Sequence, residues 1–172
     1  MKRHSMNHTL NRNTVILSLT LSTLCLVAYY SGFYFALRIH SSMPEVSGLW
    51  AVISAIIVFE ASYKKTIIAS AHRIKGSILG ATVTAITFSL FGIVFWSWFI
   101  TCVIIVVLAH IIGMKDHIKL GLLTCALVYV IQTIQTTSPV WENCAQRCIE
   151  SIIGIILAIA INSLYHCINK TE

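Results

Sequence analysis

The sequence predicts an all-α membrane protein with six transmembrane helices, and three observations carry that prediction. Only 10% of the 172 residues are formally charged and 57% are apolar or aromatic, against roughly 25% charged in a soluble domain. The charges also cluster, leaving uncharged runs over 13–37, 46–59, 76–114, 120–141 and 151–169. Most of these runs reach the ~20 residues that cross a hydrocarbon core about 30 Å thick. Third, the basic residues sort to one side of the six-span topology, as worked out below.

The first span, 14–37, lies between Arg12 and Arg38 and closes with Tyr29, Tyr30, Phe33, Tyr34 and Phe35. It follows a basic amino terminus, but it exceeds the 7 to 15 apolar residues of a secretory leader and no small-x-small cleavage site follows it. It therefore reads as an uncleaved anchor. The second span, 46–63, is the shortest and contains Glu60. The uncharged stretch 76–114 would measure about 58 Å as one helix, so it divides into spans 76–95 and 98–114. The turn is expected at Trp96, Ser97 and Trp98, because tryptophan prefers the headgroup interface. Spans 119–137 and 149–167 complete the domain at 14–167, between a basic segment 1–13 and a short tail 168–172. Pro44 and Pro139 fall in connections, where a missing N–H harms no helix.

Six spans place Lys2, Arg3, Arg12, Lys64, Lys65, Arg73, Lys75, Lys115, Lys119 and Lys170 on one side and only Arg38 and Arg147 on the other. Short cytoplasmic loops retain basic residues, so both termini are expected in the cytoplasm. Omitting the second span would move the loop 64–75 across and spoil the asymmetry. The net charge of +6 is thus a topology signal rather than a nucleic-acid footprint, which needs basic residues gathered on a solvated face. No carboxylate pair, metal-ligand spacing, phosphate loop or nucleophile elbow appears, so no enzyme, metal or cofactor is expected. The six cysteines lie mostly inside spans; Cys144 and Cys148 stand four apart on one helix, poor geometry for a disulfide.

Setting Arg73 over Arg147 aligns RIKGSILG with RCIESIIG, matched at Arg, Ser, Ile and Gly. Two three-span halves of this kind would be inverted relative to each other, as in many secondary transporters; the alternative is chance likeness between apolar helices. Gly76 and Gly80 form a Gly-x-x-x-Gly face that lets two backbones approach, and Gly154 has the matching place in the other half. Arg73, beside Lys64, Lys65, His72 and Lys75, reads either as part of a topogenic basic loop or as a cationic vestibule that collects anions. Arg147 and Glu150 are spaced for an (i, i+3) surface ion pair, or Arg147 is a second anion station on the far side. Glu60, four residues before Lys64, reads as an interfacial ion pair or a proton-coupling carboxylate. Gln132, Gln135 and Asn162 are candidates for interhelical hydrogen bonds or for a polar path.

The stretch Leu49–Gly80, LWAVISAIIVFEASYKKTIIASAHRIKGSILG, resembles the membrane module of the fusaric acid resistance and aromatic acid exporter superfamily. The likeness lies in Trp-Ala-Val opening a span and Arg-x-x-Gly-Ser-x-x-Gly entering the next. Arg147, Ser151 and Gly154 are similar to that family's second arginine-led helix start. The resemblance implies a six-helix domain in a bacterial inner membrane that exports or conducts organic, notably aromatic, acid anions. The plant aluminium-activated malate transporters look like distant relatives with a dimeric, arginine-lined path, which favours Arg73 and Arg147 as anion contacts with Trp50 packed near them. Larger exporters of this family carry a cytosolic region, so this chain is expected to work as a homodimer or higher homo-oligomer, or with a partner export subunit. The alternative is a non-transporting subunit or scaffold assembled through the Gly76 and Gly80 face.

Overall fold

A computed structural model describes residues 12–60, 62–135 and 138–170. Most of the basic segment 1–13 and the end of the tail 168–172 lie outside the described residues. The chain folds as α1 (Arg12–Arg38), α2 (Pro44–Val58), α3 (Tyr63–Phe91), α4 (Phe95–Ile111), α5 (Ile118–Ile134) and α6 (Val140–Lys170), with a single 3-10 turn at Lys115–His117 before α5. There is no strand among the described residues. Four segments, Thr14–Arg38, Tyr63–Phe91, Lys115–Ile134 and Val140–Cys167, are long and apolar enough to span a bilayer. The 15 residues of α2 and 17 of α4 measure about 22 and 25 Å at 1.5 Å per residue. The protein is an all-α polytopic membrane protein, as the composition requires.

Helix α2 opens at Pro44, which the sequence expectation places in a connection, and ends at Val58, short of 63, and α6 begins at Val140 rather than 149. Two further boundaries change how the chain is read. Helix α3 begins at Tyr63 rather than at 76, so the basic stretch 64–75 is helical and not a loop. Helical periodicity then separates its charges: Lys64, Lys65 and Lys75 point outward and are exposed, while Arg73 turns inward. Hydropathy alone reads a stretch with five basic residues as a connection because it ignores which face they occupy. The second difference is the α3–α4 turn, which falls at Gly92, Ile93 and Val94 instead of the tryptophans. Gly92 stops α3 at φ 75° and its N–H donates to the Phe88 carbonyl, a positive-φ conformation that glycine adopts without strain. Trp98 is thereby carried into α4, where it stacks on Tyr129 at 5.1 Å.

The two halves pack on each other in a common pattern. Helix α2 lies along α6, with Ser47 beside Gln146, Trp50 beside Arg147 and Glu60 beside Asn162, so these helices run parallel. Helix α5 lies along α3 in the same sense, Leu120 against Gly76 and Tyr129 against Phe88. Helices α3 and α6 meet antiparallel, Tyr63 near His166 and Ser77 near Cys148. Exchanging α1–α3 with α4–α6 preserves every one of these relations, and an odd number of helices per half inverts the second.

The aligned glycines hold equivalent places. A Cβ on Gly80 would strike the Gly121 backbone of α5, and one on Gly154 the Ala51 carbonyl of α2. Small residues there let the helices meet backbone to backbone, which carries association where no hydrophobic effect separates protein from lipid. Gly154→Val should push α2 from α6 and cost about 1 to 3 kcal/mol. The check is thermal unfolding in detergent: a transition at the wild-type temperature contradicts this packing.

Candidate functional site

The site lies where α2, α3 and α6 meet, and each helix delivers its part by spacing. Ser47, Trp50 and Ser54 stand three and four residues apart on α2; Arg147, Glu150, Ser151 and Gly154 repeat that rhythm on α6. Arg73 comes from α3, ten residues past Tyr63, about 15 Å along the axis. All of these side chains are buried, with Arg73, Glu150 and Ser54 at 0% exposure, Trp50 and Ser151 at 1% and Arg147 at 2%.

Their hydrogen bonds form one directed chain. Arg73 Nη2 donates to Ser54 Oγ at 3.0 Å, Ser54 Oγ donates to Ser151 Oγ at 3.3 Å, and Ser151 Oγ donates to the Arg147 carbonyl at 2.9 Å. Trp50 Nε1 donates to both Ser151 Oγ and that carbonyl at 3.0 Å. Each hydroxyl gives its single proton once and accepts from its neighbour, so the order of donation is fixed by Arg73, which can only donate. The same guanidinium lies over the Trp50 ring, 4.7 Å from its centroid, a cation–π contact strengthened by burial.

The charges do not balance. Arg147 Nη1 meets Glu150 Oε2 at 2.6 Å, the (i, i+3) pair that the spacing allows, but it is buried rather than on the surface. Glu150 is the only buried acidic side chain among the described residues, and Arg147 occupies it. Arg73 and Arg147 each keep Nε and Nη1 without a hydrogen-bond partner, but Arg147 has the Glu150 carboxylate beside it, whereas no salt bridge joins Arg73 to a described carboxylate. A buried guanidinium with two idle donors is costly unless an anion or other acceptor meets it. A carboxylate is the group whose chemistry would satisfy this charge, its paired oxygens taking one idle donor together with the second Nη2 hydrogen.

Arg73, Arg147, Glu150 and Trp50 come together as one cluster, which corrects the expectation of separate stations on the two sides. Antiparallel α3 and α6 bring their arginines to adjacent levels, and Trp50 links them. Lys64 and Lys65 sit exposed in the first turn of α3, away from the cluster. Glu60 is exposed in the α2–α3 connection, where the helix is broken, so the (i, i+4) geometry with Lys64 does not form. Instead its backbone N–H donates to Thr66 Oγ1 and its carbonyl accepts from Asn162 Nδ2. Gln132 and Asn143 bond side chain to side chain, and Gln135 Nε2 donates to Ser42 Oγ, so these amides tie loops and helices together. Gly76 and Gly80 are covered by α5 of the same chain, which removes that face as an assembly surface for a scaffold.

Comparison with known proteins agrees with this architecture. The sequence profile described as fusaric acid resistance protein-like matches residues 23–161, 139 of the 172 residues. Neither the curated proteins nor the solved structures gave a match. The matched region runs from α1 into α6 and includes Trp50, Arg73, Arg147 and Glu150. The chain belongs to the fusaric acid resistance protein-like family of membrane transport proteins.

Proposed function

We propose that this protein moves small organic anions, aromatic carboxylates among them, across a bacterial inner membrane, with Arg73 as the carboxylate contact. The observation that carries this reading is the fully buried Arg73 guanidinium, with two idle donors and no carboxylate of its own. An aromatic acid suits the place because the Trp50 ring lines the guanidinium. Arg147 contributes differently: Glu150 neutralises it, so it shapes the site while Arg73 supplies the net positive charge. Lys64 and Lys65, exposed at the start of α3, raise the local anion concentration at that end. The basic bias of the same end supports cytoplasmic termini. Homo-oligomers, or a complex with a partner export subunit, place several such sites side by side in the bilayer.

The experiment is efflux of radiolabelled benzoate from proteoliposomes, comparing wild type with Arg73→Ala and Arg147→Ala. Flux that depends on Arg73 is expected. Equal flux in all three chains overturns the reading.

A further inference from the structure

At the end of the bundle that carries the α1–α2 and α5–α6 connections, a surface cleft of about 320 Å³ is lined by Ser41, Ser42, Glu142 and Gln146, with Trp141 on its rim. One lining side chain ties the surrounding elements together. Gln146 Nε2 donates to Ser41 Oγ at 2.9 Å and to Ser47 Oγ at 3.0 Å, spending both amide protons to pin the α1–α2 connection and α2 onto α6. Directly beyond it everything is sealed. Ser47 is at 0% exposure, Arg147 follows Gln146 in sequence at 2%, and Glu150, one turn further on the same helix face, is at 0%. A cleft of mixed lining therefore reaches Gln146, the neighbour in sequence of a buried ion pair. Between the cleft and the pair stand the Gln146 amide and the Ser41 and Ser47 hydroxyls.

We infer that this cleft is one mouth of the anion route, and that Gln146, clamped between Ser41 and Ser47, is the barrier that closes it within a single chain. Swinging the Gln146 side chain away costs two neutral hydrogen bonds and opens a direct line from the cleft to Arg147 and then Arg73. The freed amide protons and the two serine hydroxyls are then donors suited to a passing carboxylate. Glu142 at the cleft makes this mouth a poor collector of anions, in contrast to the lysine-rich opposite end, so it fits release better than capture. The inference rests on the anion reading above, and its test separates the two.

The full-length chain carries Ser47→Cys and is treated in detergent with a membrane-impermeant methanethiosulfonate, the signal being counted above that of the same chain with Ser47 intact. With Gln146 present, and still held by Ser41 in this background, the labelling should be slow. Gln146→Ala should speed it, and in proteoliposomes Gln146→Ala in the otherwise native chain should raise benzoate flux about fivefold or more, fivefold being the rate equivalent of just one of the two hydrogen bonds it removes. Ser41→Ala, which removes one anchor without touching α6, should give a smaller rise in labelling and serves if Gln146→Ala aggregates. Labelling that is unchanged by either substitution in a monodisperse chain overturns the barrier. Faster labelling with benzoate flux at the background of empty liposomes upholds the barrier and overturns the anion reading.

Discussion

Arg73→Gln is expected to lower benzoate flux at least about thirtyfold, because removing one partner of a buried charged hydrogen-bonded pair costs about 2 to 5 kcal/mol. The same substitution should leave thermal stability in anion-free detergent unchanged or raised. Both effects follow from one fact: Arg73 is buried with Nε and Nη1 idle and no carboxylate, so its charge is a burden to the empty protein and an asset to the loaded one. Glutamine retains a donor toward Ser54 but has no charge. Arg73→Lys should fall between, since lysine keeps the charge and loses the fork and the flat stacking on Trp50. A merely structural arginine would behave in the opposite way, with stability falling and flux falling only in proportion to folded protein. Flux and unfolding temperature measured on the same preparations separate the two.

Glu150→Gln should be the most destabilising substitution in the site. It leaves Arg147 buried at 2% exposure without its carboxylate, a loss of about 3 to 5 kcal/mol for breaking a buried pair from one side. Two predictions attach to it. Replacing both partners, Arg147→Met with Glu150→Leu, should return much of the stability, because it removes the charges together. Benzoate should protect Glu150→Gln more than it protects wild type, because two unpaired guanidinium groups then face the site. Ligand stabilisation reaches about 2.7 kcal/mol at a hundred times the dissociation constant, large enough to appear as a shifted melting curve. An equal shift in both chains contradicts the charge accounting.

Why the sequence reveals so much of this protein, and where it stops, follows from how its charges are used. Charge clustering locates the long helices because lipid tolerates few charges anywhere, and the RIKGSILG and RCIESIIG likeness marks two places that the fold uses equivalently. The same reasoning misplaces Arg73. Averaged hydropathy counts Lys64, Lys65, Arg73 and Lys75 alike, whereas three of them face outward and one faces α2 and α6. Without helix directions, Arg73 and Arg147 fall on opposite sides of the membrane; the antiparallel contact of α3 with α6 is a tertiary fact that no local pattern states. Ser54, Ser47 and Gln146 escape notice because serine and glutamine are ordinary residues. Their signal is spacing: Ser47, Trp50 and Ser54 share one face of α2, and Gln146 and Glu150 one face of α6. Gly92 was legible too, as the glycine that ends α3, and the neighbouring tryptophans drew the turn away from it.

The account rests on a carboxylate meeting Arg73 inside a single chain, and the most direct measurement is to see where one binds. A crystal structure with 4-bromobenzoate, the bromine located by its anomalous scattering, gives the answer without reference to transport rates. The account predicts a bromine peak within the α2–α3–α6 interface of each chain, beside Trp50, with a carboxylate oxygen about 3 Å from Arg73 Nε or Nη1. A peak only on the lipid-facing surface or between neighbouring chains, with Arg73 untouched, would contradict it.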